Sequence, residues 1–298
     1  MRPEPGDRRG PLGPVTEEPA AALFERRPQS LVITLLGAYV YPEDRTVWSG
    51  GLVRLLGEFG FSAGAARVAL ARLTRRDLLA RVRDGRLAHY RLTPRAAALL
   101  DEGDRRIFSL GRDVRAAKVW TILWHAIPEE RRLERGRLAR RLRFLGFGSV
   151  QDGVWISPHD REREVAALLE ELRLVGHAAV LLARPAGRLD FEAFAARAWD
   201  VDELTKRYQA FVIAFGGHAP AGRDGLDDHE AFLVRTRLVH AFRQFPFLDP
   251  GLPDDLVPTH GHRAQAVGLF HDLYGSLAEP AQRHFDATTV PPGPRRPR

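Results

Sequence analysis

The segment from Phe59 to Thr93 constrains the fold more than any other part of the chain. Ser62 is a suitable N-cap, and the helix that it begins is predicted to run to about Arg76. Apolar side chains recur in this helix at helical spacing and form one stripe, at Ala66, Ala69, Leu70 and Leu73. The positions off this stripe are mostly arginines, at Arg67, Ala71, Arg72, Arg75 and Arg76. The pattern therefore predicts an amphipathic helix with one apolar and one cationic face.

Two short strands are predicted to follow this helix. Their even-numbered residues are apolar, at Leu78, Ala80, Val82, Ala88, Tyr90 and Leu92. The odd-numbered residues include Arg81, Arg83, His89 and Arg91, with Leu79 and Leu87 as exceptions. A three-residue loop at residues 83–85 would pair even with even positions, and Gly85 would take the left-handed conformation that such loops need. The sequence thus predicts a hairpin with one apolar face and one cationic face.

Two further helices are predicted upstream of this segment. Ser30–Val40 is apolar almost throughout, and its length favours a helix over a strand. Ser49–Gly60 is the second, with Ser49 as its N-cap and Gly60 as its terminator. Three helices followed by a hairpin are the order of a winged helix-turn-helix. In that fold the third helix enters the major groove of DNA and the hairpin lies along the phosphate backbone.

The distribution of charge also indicates a polyanionic partner. The formal net charge is +7, but Lys118 and Lys206 are the only lysines, and such an arginine-rich composition is typical of a GC-rich genome. Clustering is the better argument, because eleven arginines stand against five acidic residues between positions 43 and 95. Neutralising the phosphates of a nucleic acid needs such a cluster. The alternatives are a solvated arginine-rich surface without a partner, or one that binds RNA or an acidic protein.

Four stretches of the chain carry a resemblance to a known family. They are Ser30–Thr93, Leu145–Pro158 (LGFGSVQDGVWISP), Phe242–Pro258 (FRQFPFLDPGLPDDLVP) and Leu269–Leu277 (LFHDLYGSL). In this order they resemble the PaaX family, which consists of bacterial repressors of operons for phenylacetate and related aromatic acids. The resemblance covers about Ser30 to Phe285, most of the chain.

The resemblance implies a transcriptional repressor that binds operator DNA as a homodimer and leaves it when an acyl-CoA effector binds, such as phenylacetyl-CoA. Arg67 and Arg72 match positions where the family usually has arginine. The residues expected to contact DNA are Ser62, Arg67, Ala71, Arg72 and Arg75 on the third helix, and Arg83, Arg86 and His89 on or beside the wing. A CoA thioester needs cations for its phosphates and apolar surface for its acyl group. The candidates to provide them are Trp120, Trp124, Arg140, Arg141, Arg143 and Tyr208.

The middle of the chain is predicted to alternate between strands and helices. The segments are a strand within Ala116–Pro128, a helix at Glu129–Gly146, a hairpin turning at Asp152-Gly153, a helix from Ser157-Pro158 to about Val175, and a strand within His177–Pro185. This βαββαβ order is ferredoxin-like. In the PaaX family this part is similar to Cas2 nucleases, which carry a metal-binding aspartate just after the first strand. Trp124–Ile127 contains no acid, so we do not expect nuclease activity, and we expect a regulator and not an enzyme.

The C-terminal part is predicted to be helical from about Asp190 to Phe285. Asp200 and Glu203 form a plausible capping box, and a last helix is predicted at about Ala264–Leu277. The family usually has aspartate, tryptophan, proline and glycine just before that helix, whereas Thr259–His262 occupies the place here. This chain therefore lacks the tryptophan side chain that the family usually has at this place.

His260, His262 and His271 raise the question of a zinc site. Because eleven histidines are scattered over the chain, we expect surface or capping roles for them, and neither a metal nor another cofactor. The chain contains no cysteine, which excludes disulfides and thiolate ligands. No nucleophile elbow, P-loop or dinucleotide motif occurs. A hydrolase of CoA thioesters remains an alternative on residue types alone.

Together these patterns predict an α+β multidomain protein. The expected divisions are a disordered tail at 1–27, a winged helix domain at 28–95, a helical linker at 96–113, a ferredoxin-like domain at 114–188, a helical domain at 189–286 and a disordered tail at 287–298. No apolar run approaches the roughly 20 residues that a membrane span needs. The first residues also lack the apolar stretch of a signal peptide. We therefore expect a cytoplasmic location.

Overall fold

The computed structural model describes residues 27–43, 45–111, 119–184, 191–218, 226–252 and 261–291. Most of the tail predicted at 1–27, and residues 292–298 of the other tail, lie outside these ranges. The described residues form helices and two small antiparallel sheets, so the predicted α+β composition is confirmed. In the described part of the chain, no helix combines the length and apolar character needed to cross a bilayer.

The N-terminal unit contains three helices and a three-stranded antiparallel sheet. In chain order its elements are α1 (Pro28–Tyr39), β1 (Val47–Trp48), α2 (Ser49–Glu58), α3 (Ala63–Arg75), β2 (Leu79–Asp84) and β3 (Leu87–Leu92). Strand β3 lies between β1 and β2. The three predicted helices are present, but Trp48 and not Ser49 is the N-cap of α2, and no side chain caps this helix. Gly60 has a φ of +83° and ends α2 as predicted.

The loop between β2 and β3 differs from the prediction. Asp84 pairs with Leu87, so the loop consists of only two residues, Gly85 and Arg86. Gly85 has a φ of +58°, and a positive φ at the first of two loop residues is what a type II′ turn requires. A short turn compatible with the twist of the strands therefore sets the register.

This register distributes the arginines of the hairpin over both faces. Arg81 lies opposite Tyr90, and Ala80 lies opposite Arg91. Opposed residues share a face and successive residues alternate, so Arg81 and Arg91 lie on different faces. The prediction of one apolar and one cationic face is wrong, because the two-residue loop pairs even with odd positions.

Helix α4 (Pro94–Ser109) follows β3 directly and occupies most of the predicted linker. The hydroxyl of Thr93 caps it by accepting a hydrogen bond from the N–H of Ala96 at 3.2 Å. The same hydroxyl donates to the carbonyl of Asp77 at 2.7 Å. The start of α4 is therefore tied to the turn that joins α3 to the hairpin.

The central unit is a four-stranded antiparallel sheet with two helices. Its elements are β4 (Trp120–His125), α5 (Arg132–Phe144), β5 (Gly148–Gln151), β6 (Val154–Ser157), α6 (Glu162–Glu171) and β7 (Ala178–Ala183). The strands lie in the order β5-β6-β4-β7, which together with the βαββαβ chain order is the ferredoxin-like arrangement that the sequence predicts. Gly153, with a φ of +75°, lies in the turn between β5 and β6.

Helix α6 is shorter at both ends than predicted. It begins at Glu162, not at Ser157-Pro158, and ends at Glu171, before Val175. The hydroxyl of Thr121 donates to the carbonyl of His159 and accepts the N–H of Arg161, both at 2.8 Å. These two bonds hold the residues before α6 against β4 and keep them out of the helix.

Beyond residue 190, the described residues form helices and turns without a strand. The helices are α7 (Phe191–Ala198), α8 (Val201–Gly216), α9 (Asp228–Phe242), α10 (Phe245–Leu248), α11 (His262–Ser276) and α12 (Ala278–Thr289). Asp200 accepts the N–H of Glu203 at 3.0 Å, which is one half of the predicted capping box. A reciprocal box, not predicted, is formed by Asp227 and Glu230. Helix α12 was not predicted either, and it extends into the segment 287–298.

The N-terminal unit shares its hydrophobic core with the C-terminal helices. The ring of Tyr39 in α1 stacks on Phe285 of α12 at a centroid distance of 5.0 Å and packs against Phe232 of α9 at 5.3 Å. All three residues belong to the cluster that also buries the apolar side of α3. The hydroxyls of Tyr39 and Thr236 form a buried hydrogen bond of 2.8 Å. The orientation of α3 is therefore set by α9 and α12 as well as by its own unit.

Candidate nucleic-acid interface

Capping interactions define both ends of helix α3. The Oγ of Ser62 accepts a hydrogen bond from the N–H of Ala65 at 3.2 Å, which confirms the predicted N-cap. At the other end, the N–H of Leu78 donates to the carbonyl of Leu73 at 3.0 Å. Asp77, between them, has a φ of +55°, as in a Schellman motif. The chain therefore leaves α3 at a fixed angle into the hairpin.

The exposed side of α3 carries the predicted arginines. The apolar stripe is buried, as predicted, at Ala66, Ala69, Leu70 and Leu73. Arg67, Arg72 and Arg75 are exposed, and none of them forms an ion pair with a described residue. Ala71 is exposed among them, and Val68 is 48% exposed. The helix thus presents guanidinium groups around a small apolar centre, and these three arginines form no ion pair with a carboxylate of the described residues.

The hairpin adds further exposed arginines but not the predicted histidine. Arg83 and Arg86 lie at the hairpin loop, exposed and without an ion pair to any described residue. His89 is only 8% exposed, so the prediction that it contacts phosphate is wrong. It lies on the middle strand of the sheet, opposite Trp48 on one side and Val82 on the other.

Arg81 and Arg91 are exposed on the same hairpin and were not selected as contact residues. Their odd-numbered positions in alternating strands were the signal that could have identified them. Because they lie on different faces, a duplex that contacts one face of the hairpin reaches only one of the two.

Two of the predicted effector residues are structural. Trp120 is buried against Trp199, with the rings in an edge-on arrangement at 6.2 Å. Tyr208 is fully buried and stacks on Phe245 at 4.2 Å. Since neither aromatic face is accessible, the prediction that these two residues contact an effector is wrong.

The hydroxyl of Tyr208 belongs to a buried polar network centred on Asp249. It donates to Oδ2 of Asp249 at 2.6 Å, and burial together with the negative charge of Asp249 raises the pKa of Tyr208. Arg263 donates to Oδ1 of Asp249 at 3.2 Å and to the carbonyl of Leu252 at 2.8 Å. The N–H of Gly251 also donates to Oδ1, at 2.7 Å. This network fixes residues 249–252, which follow α10, against α8 and α11.

Arg143 lines a groove of about 290 Å³ between the central unit and the C-terminal helices. Its guanidinium lies 5.3 Å from the ring centroid of Trp155, and Trp199, Arg207 and Phe247 also line the groove. The remaining predicted effector residues are exposed elsewhere on the central unit, at Trp124, Arg140 and Arg141. The structure therefore does not bring the six predicted effector residues together.

A second cleft of about 270 Å³ adjoins this groove. Gly146 and Pro250 line both of them. Among the other residues that line the second cleft are Arg106, His159 and Arg161. Cationic and apolar side chains thus meet along one boundary between the central unit and the C-terminal helices.

Of the three histidines considered from the sequence, the two that the structure describes have separate partners and do not form a group. His260 lies outside the described residues, His262 is hydrogen-bonded to Gln265, and the ring of His271 packs against Phe108. A different histidine pair, His229 and His284, instead lies beside Glu58. No local pattern could have identified this set, because its members come from helices α9, α12 and α2.

Three family models match the chain in succession. Residues 27–96 match the model described as PaaX-like protein, residues 113–195 the PaaX protein central Cas2-like domain, and residues 199–287 the PaaX-like protein C-terminal domain. The transcriptional repressor PaaX of Escherichia coli (strain K12) is 27% identical over 263 residues, which cover 85% of this chain and 81% of that protein. An uncharacterized protein from Mycobacterium tuberculosis has a solved structure that matches with a TM-score of 0.54 and 26% identity, covering 89% of this chain and 99% of that one.

Proposed function

Since the chain belongs to the PaaX family, we propose that it is a transcriptional repressor that binds double-stranded operator DNA through its N-terminal unit. The relative in Escherichia coli is named a transcriptional repressor. The observation that carries the proposal is the exposed arginine surface of α3 and the adjoining hairpin, where Arg67, Arg72, Arg75, Arg83 and Arg86 make no ion pair with a described residue.

The N-terminal unit is proposed to act as a winged helix. Helix α3 has 13 residues, so it is about 20 Å long at 1.5 Å per residue. Its cationic side fits the major groove, which is about 12 Å wide. Arg67 and Arg72 are assigned to base edges or phosphates in that groove. Arg83 and Arg86 at the loop of the hairpin are assigned to the phosphate backbone.

The protein is further proposed to bind DNA as a homodimer. One α3 helix contacts only one half-site, and two half-sites separated by a helical turn or a multiple of it require two copies of the helix. A palindromic operator would then match the twofold symmetry of the dimer. The proposed setting is the cytoplasm, where the operator DNA lies.

The proposed effector is an acyl-CoA thioester such as phenylacetyl-CoA, and the regulated genes are those of an aromatic-acid catabolic operon. The groove beside Arg143 offers what such a ligand needs, since aromatic side chains can cover an acyl group and arginines can bind phosphates. Trp199 and Phe247 provide the apolar surface, and Arg207, which forms an ion pair of 2.8 Å with Glu203, lies at the same groove. The adjoining cleft gives further arginines within the same boundary.

An electrophoretic mobility shift assay tests the DNA-binding proposal. The probe is the duplex upstream of the gene that encodes this chain, with a scrambled duplex and an RNA of the same sequence as competitors. We expect binding to the upstream duplex to survive both competitors and to be abolished by phenylacetyl-CoA but not by free CoA. Preferential binding of the RNA, or equal binding of the scrambled duplex, would contradict the proposal. Hydrolysis of the thioester during the assay would favour the hydrolase alternative instead.

Variants separate the assigned surface from charge in general. Arg67→Ala combined with Arg72→Ala is expected to abolish specific binding, with an unchanged circular dichroism spectrum. Arg137→Ala combined with Arg163→Ala is the matched control, because both are exposed arginines on helices of the central unit, α5 and α6. If the control weakens binding as much as the double variant, the DNA surface has been placed on the wrong side of the molecule. For the effector, Arg143→Gln is expected to raise the phenylacetyl-CoA concentration needed for release.

A further inference from the structure

Glu58, His229 and His284 bring three metal-ligating groups together. The Nε2 atom of His284 lies 3.1 Å from each carboxylate oxygen of Glu58. The Nε2 atom of His229 lies 3.4 Å from Oε2 of the same carboxylate. One ligand atom from each of the three residues lies within 4.8 Å of the others. Glu58 is the last residue of α2, while the histidines come from α9 and α12.

We propose that these three side chains bind a divalent metal ion with the ligand preferences of Zn²⁺. Two imidazoles and one carboxylate are a ligand set that zinc uses, with bonds of about 2.0–2.2 Å and a tetrahedral geometry. Ligand atoms at the corners of such a tetrahedron are about 3.3 Å apart. The separations from Glu58 to both histidines, 3.1 and 3.4 Å, already have this size. Small movements of the imidazoles would therefore complete the first three positions.

The surroundings of the site suit a metal that keeps one open position. Phe232 packs its ring 5.0 Å from the ring of His284 and covers the inner side. The side chain of His229 is 47% exposed, so water and the ion can enter from that side. Asp228 is engaged by Arg283 through two hydrogen bonds of 3.0 and 2.7 Å and does not compete for the ion.

A bound ion would join the N-terminal unit to the C-terminal helices. Helix α2 precedes α3 directly, and its last residue provides the carboxylate ligand. The other two ligands lie on the helices whose Phe232 and Phe285 complete the core of the N-terminal unit. Zinc would thus fix α2 against α9 and α12 at the surface, above the shared core. This inference concerns metal binding alone and does not depend on the DNA-binding proposal.

Metal titrations of the full chain, purified without a histidine tag and dialysed against a chelator, test the inference. Zinc is titrated by calorimetry, and cobalt serves as a spectroscopic probe, since a tetrahedral site with nitrogen and oxygen ligands gives a visible d–d band. We expect one zinc per chain and a cobalt band. Binding should weaken as the pH falls, because histidine ligates only in its neutral form.

Three variants and one control decide the outcome. His229→Ala, His284→Ala and Glu58→Gln should each weaken zinc binding by more than about 100-fold, the upper end of what losing an outer-shell partner costs. Glu58→Gln keeps a hydrogen-bonding side chain, so a purely structural triad would tolerate it. His262→Ala removes a histidine outside the cluster and should leave the zinc affinity unchanged. The inference is overturned if the wild type binds no stoichiometric zinc, or if these variants bind it like the control.

Discussion

The salt dependence of DNA binding gives the sharpest quantitative test of the proposed interface. The perturbation is Arg67→Gln, which removes one cation from the exposed side of α3 and leaves the buried stripe intact. Each phosphate that a protein neutralises contributes about −0.9 to the slope of log K against log salt concentration. If a homodimer loses this contact in both protomers, its slope should therefore be less negative by about 1.8.

The size of the effect follows from the number of arginines at the surface. Five exposed arginines per protomer, at Arg67, Arg72, Arg75, Arg83 and Arg86, give about ten phosphate contacts in a dimer and a slope of about −9. Between about 50 and 200 mM salt, the affinity of the wild type should fall by a factor of about 10⁵ and that of the variant by a factor of about 10⁴. The ratio of the wild-type affinity to the variant affinity should thus decrease about tenfold as the salt concentration rises.

Fluorescence anisotropy with a labelled non-specific duplex measures this slope without knowledge of the operator. Arg163→Gln changes the net charge equally but lies on α6 of the central unit, so it should leave the slope unchanged. If the slope of Arg67→Gln equals that of the wild type, this arginine does not neutralise a phosphate, and its assignment to the phosphates is refuted.

Three further predictions concern stability. Tyr208→Phe removes a hydrogen bond of 2.6 Å to the buried carboxylate of Asp249 and should lower the free energy of unfolding by about 1.5–3 kcal/mol, read from urea denaturation. Gly51→Ala should be about 1–3 kcal/mol less stable than Gly57→Ala on the same helix. A Cβ at Gly51 would lie 2.6 Å from a backbone atom of α12, whereas nothing lies within 4 Å of a Cβ at Gly57. Equal stabilities of the two variants would refute the close approach of α12 to α2. Burial lowers the pKa of His125, so the unfolded chain binds the proton first as the pH falls through about 6.5, and stability is lost on acidification. In His125→Gln, the melting temperature should therefore depend less on pH between about pH 7 and pH 5 than it does in the wild type.

The order of helices and strands was predictable because it depends on local signals. A cap and an apolar stripe define α3, where Ser62 accepts the N–H of Ala65 and the stripe is buried, both as the sequence implies. Glycines at turns were equally informative at Gly60 and Gly153. The ferredoxin-like order of the central unit followed from the same kind of signal, since alternating elements with short loops leave few arrangements.

The register of the hairpin was not predictable from charge alternation. The argument for a three-residue loop assumed that charges separate onto one face, whereas the structure uses Gly85 at the first position of a two-residue turn. Leu79, an exception to the alternation, is 2% exposed and belongs to the core. An apolar residue that breaks a polar pattern was thus the better guide to the register, because burial of apolar surface outweighs the arrangement of exposed charges.

The groupings of side chains across the molecule were beyond the reach of the sequence. Residue type marked Trp120 and Tyr208 as candidates for ligand contact, yet both are buried in the structure. Conversely, Glu58 and His284 are 226 residues apart in the chain and meet only because α12 packs on α2. Contacts of this kind depend on how helices pack, which no local pattern encodes.

The shared core also restricts how an effector could release the protein from DNA. Separating the N-terminal unit from α9 and α12 would expose Phe232 and Phe285, at about 1.5–3 kcal/mol each, and would break the bond of Tyr39 to Thr236, at about 1 kcal/mol. The total of about 4–7 kcal/mol is comparable to the roughly 5.5 kcal/mol of differential binding that a ligand needs to reverse a 1:99 population. A ligand would have to overcome this cost in addition to the free energy by which the protein itself favours its DNA-bound form. A rearrangement that moves each N-terminal unit together with its own α9 and α12, and changes the spacing of the two α3 helices in the proposed dimer, avoids the cost altogether.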